Sequence, residues 1–240
     1  MKKFLFTLAL IVPMLAFTGC GGDDDEPNVP NQTLSVGQIY IIPTDGTWTS
    51  DNDLIASVSG KTVKGVRVGE VAIRNGGQSF NVTVNPTITL FQDPCVQFGA
   101  TQQVVKNYMS GYELISEEAD NLIFAKNKSS DVLYGYNFEF SKLNMSMVIA
   151  VKSIATAELM GEMLAERYVL VTSKEDYIGM VSPDKKMLVV LMIKVQSGKV
   201  VYAISYAPAS SSKSRANDLE VAFEEIIDAT PGELVKGGMK

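Results

Sequence analysis

The sequence predicts an all-β sandwich followed by an α+β domain, the latter a single antiparallel sheet built from two copies of one unit and covered by helices. Three observations carry that expectation. From Gln32 to Asn85, short alternating apolar runs are separated by glycine turns, and no helical period occurs. Beyond residue 98, two stretches with helical spacing, 101–109 and 157–167, each precede a series of strand-like segments. Sliding the first unit forward by 56 residues lays Tyr112 on Tyr168, Leu114 on Leu170, Leu122 on Ile178, Phe124 on Met180 and Val104 on Met160.

The chain opens with Lys2 and Lys3 and an apolar run from Phe4 to Phe17, too short for a comfortable membrane span of about 20 residues and of the length a signal peptide needs. It ends in Leu15-Ala16-Phe17-Thr18-Gly19-Cys20, which resembles the lipobox of bacterial lipoproteins, with Phe17 bulkier than usual. That resemblance implies a signal peptide over 1–19 and a lipid bilayer as partner through acylated Cys20, since two or three acyl chains anchor durably. Residues 20–31 then form an acidic tether. Asp23 to Glu26, set among glycine and proline, repel one another and bury nothing. The acidic run resembles the export signal of surface lipoproteins in the Bacteroides group, which implies an outer-membrane protein on the cell surface, the periplasmic face being the alternative. Loss of the leader removes two lysines and moves the formal charge from -6 to -8. A chain of that charge has no generic attraction for nucleic acid. Cys95 is the one cysteine besides Cys20, so no disulfide holds the mature domains.

Residues 32–86 read as the first domain. Val36, Ile39 and Ile41 open it, Ile55 to Val58 and Val63 to Val68 follow, and Val71 and Ile73 lead through Asn75-Gly76-Gly77 into Phe80, Val82 and Val84. Asn-Gly between alternating runs is a strong hairpin signal, because both residues tolerate positive φ. The lone Trp48 is expected to plug the thin core. Leu34 to Gly37, Trp48 to Asn52, Ile55 to Val58, Val63 to Val66 and Gly69 to Ile73 together resemble the group 2 bacterial Ig-like domain, with Thr49 and Glu70 as departures from its pattern. The resemblance implies an Ig-like sandwich and an extracellular role, most simply as a spacer.

Residues 87–230 read as the duplicated α+β domain. A short strand is expected at 88–91, then halves at about 98–153 and 154–208. In the first helix Val104, Val105, Tyr108 and Met109 form the apolar face. In the second, Leu159, Met160, Met163 and Leu164 do so. The nearly continuous apolar run from Met187 to Ile193 marks an inner strand of the sheet. A third helix is expected at 215–228, with Leu219, Ala222, Phe223, Ile226 and Ile227 as its apolar stripe and Asp218, Glu220, Glu224 and Glu225 as its wet side. Residues 231–240 form a tail. The region resembles C-terminal domains of lipoproteins from the same group, a likeness that implies no activity.

The chain has no histidine, which removes the commonest metal ligand and the usual catalytic base near neutral pH. Cys95 therefore lacks a base partner and reads as a buried thiol. Neither a phosphate-loop nor a dinucleotide spacing is present. The acid clusters Glu117, Glu118, Asp120 and Glu175, Asp176 are the only glycosidase candidates, and both fall where exposed turns are expected. No catalytic residue, metal or cofactor is expected, and the chain reads as a non-enzymatic adhesion or ligand-binding lipoprotein. Tyr134 and Tyr136, on one face of one strand, are the candidate ligand face for an unknown protein or glycan. A glycan-binding accessory of a polysaccharide-uptake system is the alternative.

Overall fold

The computed structural model describes residues 29–127, 129–196 and 199–209. The leader, Cys20 and most of the tether, the third helix at 215–228 and the tail lie outside those residues.

Seven strands form the first region: β1 (Gln32–Ser35), β2 (Ile39–Ile41), β3 (Thr49–Ser50), β4 (Ala56–Ser59), β5 (Thr62–Gly65), β6 (Gly69–Asn75) and β7 (Gln78–Asn85). They make two sheets, β1-β7-β6-β3 and β2-β5-β4, in which only the β1–β7 pair is parallel. Both sheets contribute to one core. Leu34, Ile73, Phe80 and Val82 come from the first, Ala56 and Val63 from the second, and Trp48 meets Phe80 edge-on at 5.5 Å. The strict alternation of β7, with Phe80, Val82 and Val84 inward, comes from the period-2 geometry of a strand with one wet face. Asn75 pairs with Gln78 across Gly76, whose φ of 54° favours a residue without Cβ.

The two sheets are tied where Gly37 N–H donates to Gly65 O at 2.8 Å and Gly65 N–H donates to Gln38 O at 2.9 Å. Gly65 is required at this crossing, because a Cβ there would stand 2.7 Å from the Ser35 carbonyl oxygen.

The second region begins with a connector that contains no strand at 88–91, contrary to expectation. Its backbone groups bond to side chains of a helix end, described below, rather than to a neighbouring strand. The elements that follow are α1 (Gln102–Tyr108), β8 (Glu113–Glu117), β9 (Asn121–Ala125), β10 (Val132–Glu139) and β11 (Lys142–Val151), then α2 (Ala157–Ala165), β12 (Val169–Ser173), β13 (Tyr177–Val181), β14 (Met187–Gln196) and β15 (Lys199–Pro208). The eight strands form one antiparallel sheet in the order β12-β13-β14-β15-β11-β10-β9-β8. A helix followed by a four-strand meander thus occurs twice, and the last strands of the two units pair at the centre, Ser146 with Tyr206 through Val151 with Val201.

The offset of 56 carries β8 onto β12 (113 to 169) and β9 onto β13 (121 to 177) without adjustment. It also carries one irregularity onto another. The register of β8 against β9 slips between Leu114 and Ser116, and that of β12 against β13 between Leu170 and Thr172. A bulge inserts one unpaired residue and twists an edge strand out of line. Both outer strands of the sheet carry one, which blunts them against pairing with another chain.

Helices α1 and α2 pack on one face. Val105 and Met109 of α1, with Met160, Met163 and Leu164 of α2, join Phe124, Tyr134, Tyr136, Val189, Ile204 and Tyr206 from the sheet. The apolar face of α1 is narrower than its sequence suggests, since Val104 and Tyr108 are exposed and only the i, i+4 pair Val105 and Met109 is buried. A helix of two turns offers one such pair to a flat sheet. In α2, Thr156 caps the first turn by accepting from Leu159 N–H at 3.2 Å.

Gly65→Ala is expected to destabilise the chain by about 1–3 kcal/mol, the range for forcing an extra methyl into a packed site. Urea unfolding followed by the fluorescence of Trp48 measures this. An unchanged midpoint would mean that the two sheets do not close at this crossing.

Candidate functional site

Tyr134 and Tyr136 do share a strand face, but that face lies against the helices. They are 1% and 2% exposed. Tyr134 stands edge-on to Tyr112 at 5.1 Å, and Tyr136 to Phe124 at 5.9 Å. The Tyr136 hydroxyl donates to Met109 Sδ at 3.1 Å and accepts from Cys95 N–H at 3.3 Å. Burial raises both phenols well above their ordinary pKa, and for Tyr134 the bond with Tyr112 adds to the rise. They are therefore neutral core residues and not an open ligand face. The Tyr136 hydroxyl serves to satisfy the buried N–H of Cys95 in the connector. Cys95 is buried in the same cluster, where its carbonyl accepts from Ser146 Oγ at 2.5 Å.

The two acid clusters do not converge. Glu117, Glu118 and Asp120 flank the β8–β9 turn, beside Phe138, whose N–H donates to Asp120 O at 2.7 Å. Glu175 and Asp176 occupy the equivalent β12–β13 turn, which the antiparallel seam sends to the opposite end of the sheet. Five strand spacings alone put about 24 Å between them, against the roughly 5 to 10 Å that a pair of glycosidase carboxylates needs. Glu117 is occupied by Lys106 Nζ at 2.6 Å. Among the described residues no cluster of acids and cysteine could hold a metal ion, and no helix is long and apolar enough to cross a membrane.

The most concentrated polar constellation lies where the two regions meet, at the end of α2. Glu166 and Arg167 are both buried there. The Glu166 carboxylate accepts from Thr87 N–H at 2.8 Å, from Ile88 N–H at 3.0 Å and from the Thr87 hydroxyl. Arg167 donates to Asp93 Oδ1 at 3.1 Å, Ile88 O at 3.1 Å and Met163 O at 3.0 Å. Backbone groups reach across as well. Val68 N–H donates to Glu166 O at 2.7 Å, Arg67 Nε to Tyr168 O at 3.2 Å and Asn52 Nδ2 to Pro183 O at 3.1 Å. Burial by itself would raise the Glu166 pKa. The hydrogen bonds from Thr87 and Ile88 and the charge of Arg167 outweigh it and hold the carboxyl below its ordinary value of 4.5. Each buried charge is thus matched by donors or acceptors, so the constellation is a clasp: it fixes the connector and the all-β region against α2. Nothing in the sequence singled it out, since Glu-Arg at a helix end is ordinary and its partners lie 74 to 79 residues away.

One surface feature also escaped the sequence. Phe140 is 91% exposed at the tip of the β10–β11 hairpin, where it and Ser141 adopt φ of 48° and 61°. Two successive positive φ values belong to the turn that Asn-Gly usually fills. A bulky residue in this conformation is strained. No family model, curated protein or solved structure matches the chain.

Two predictions come from these sites. Glu166→Ala leaves the N–H groups of Thr87 and Ile88 without an acceptor, and should cost on the order of 1–3 kcal/mol. Because the folded pKa of Glu166 is depressed, its contribution is fully present above the ordinary 4.5 and fades as pH falls through the folded value. The gap in urea midpoint between wild type and Glu166→Ala should therefore be constant at neutral pH and narrow in acid; a gap independent of pH would contradict this. Replacing Phe140 and Ser141 by Asn and Gly should raise stability by about 1–2 kcal/mol through relief of the left-handed backbone. A lowered melting temperature would mean that Phe140 makes a contact worth more than its strain.

Proposed function

We propose that the chain is a non-enzymatic surface lipoprotein that holds an α+β head away from the outer membrane on an Ig-like stalk, for contact with a partner outside the cell. What supports the reading is the order of parts along the chain: a run that resembles a lipobox and ends at Cys20, an acidic stretch, a small two-sheet region, and a larger region beyond it. Anchor, spacer and displayed domain come in the order such a device needs. The clasp at Glu166 and Arg167 supports it too, because a head tied to its stalk is presented in a fixed direction.

For the partner, the observations favour a protein over a glycan. Glycan capture would draw on co-facing exposed aromatics, and the tyrosines that suggested it lie in the core. The most exposed aromatic among the described residues is Phe140, at a projecting tip, which suits insertion into an apolar pocket of a protein better than stacking along a sugar chain.

The anchor is tested by Cys20→Ser. Grown with an alkyne-bearing fatty acid, cells expressing the unaltered chain should yield a labelled protein in the membrane fraction. The variant should be unlabelled and should lose its membrane association, since no other acylated residue is proposed. An unlabelled wild-type chain would end the lipoprotein reading.

A further inference from the structure

The two units of the eight-stranded sheet differ in what lies over them on the helix side. In the first, Leu122, Phe138 and Leu143 are all buried. Part of their cover is the connector ahead of α1. Phe91, Cys95 and Phe98 pack into that core, Cys95 N–H donates to the Tyr136 hydroxyl at 3.3 Å, and Gly99 N–H donates to Leu143 O at 2.8 Å. No such segment precedes α2, because the residues ahead of it belong to β11 and to one short 3-10 turn, Lys152–Ile154.

The register identifies the corresponding positions. Tyr136 pairs with Leu122 as Leu191 pairs with Ile178, so Phe138, two residues on, corresponds to Ile193. Phe138 is buried, whereas Ile193 is 56% exposed. On the same side of the sheet Leu170 and Val200 are exposed as well, and Ile178 is half-buried. Leu170, Ile178, Ile193 and Val200 stand each diagonal to the next across β12, β13, β14 and β15. Three diagonal steps make an open apolar stripe of about 22 Å. Tyr202, which pairs with Ile193, has a buried hydroxyl with no hydrogen-bond partner among the described residues. In the first unit it is the connector that meets a buried tyrosine hydroxyl of the sheet, that of Tyr136.

We infer that the stripe seats an extended apolar segment of a partner protein, lying on the second unit as the connector lies on the first. Apolar residues scattered singly over a surface need no explanation, but a continuous run marks a contact. Here the run falls where the duplicate position is covered. Its length takes about seven residues of extended chain, close to the stretch from Phe91 to Phe98, which contains neither helix nor strand. The stripe starts near the clasp at Leu170 and runs away from it toward the β14–β15 hairpin, whereas Phe140 lies at the other end of the sheet. The inference deepens the functional reading by naming a contact surface of the head. Its test leaves the anchor at Cys20 out, so the two readings fail separately.

The probe is a fluorescein-labelled peptide of residues 88–100 with Cys95→Ser, the sequence that covers the first unit. It is titrated with the full chain and followed by anisotropy. Binding should saturate. Ile193→Asp should weaken it about tenfold or more, as the loss of a central apolar contact does, and Phe140→Ser should leave it unchanged. The inference is overturned if binding does not saturate by about 1 mM, the weak limit of a specific contact, or if Ile193→Asp binds like the unaltered chain. It is also overturned if the chain forms a dimer that Ile193→Asp dissociates, since a second copy would then be the occupant. Should Ile193→Asp unfold the chain, Leu170→Asp takes its place with the same loss expected, and undiminished binding by that variant ends the proposal.

Discussion

The pairing of β11 with β15 is the constraint on which the larger region depends. Each four-strand meander has one helix, and by itself would present an open edge of apolar residues at its last strand. Joining the two last strands antiparallel, from Ser146–Tyr206 to Val151–Val201, removes both edges at once and puts the most apolar strands at the middle. It also sets the two helices side by side on one face, where Met160 and Met163 of α2 share a core with Val105 and Met109 of α1. The outermost strands then remain as the sheet's only edges, and each carries the same bulge, at Leu114 and at Leu170. A repeated unit thus protects itself twice by one device.

The seam also decides where chemistry does not gather. Because equivalent turns of the two units point to opposite ends of the sheet, the two acid clusters separate instead of meeting. The polar groups that do meet come from unrelated parts of the chain: Thr87 and Ile88 after the all-β region, Asp93 in the connector, and Glu166 with Arg167 at the end of α2. Buried charge at such a junction is stabilising only when every donor and acceptor is matched, and here Glu166 receives three hydrogen bonds while Arg167 gives to three acceptors. Losing one partner would leave the other's charge stranded, so the junction resists partial opening.

Much of this was legible in the residues themselves. Alternation and Asn75-Gly76 located the β6–β7 hairpin, and the offset of 56 residues placed β12 and β13 from β8 and β9 to the residue, because period and turn chemistry are local. Five things were not legible. The expected strand at 88–91 is a connector bonded to side chains, a choice made by Glu166 and Arg167 far along the chain. The α1 face is half as wide as its periodicity suggests, since burial depends on what the helix meets. Tyr134 and Tyr136 alternate correctly, yet alternation cannot say which face of a strand is dry; the helices decide that. The clasp and the strained tip at Phe140 left no pattern at all, one being a long-range contact and the other a backbone conformation.

If the chain is the surface lipoprotein proposed above, its α+β head faces outward. The most direct measurement is protease treatment of intact cells carrying the full chain, with a periplasmic protein as the internal standard. For an outward-facing head, the α+β region is digested while the standard survives. If the region is cut only after the outer membrane is broken, the chain faces the periplasm and the surface-contact reading is wrong.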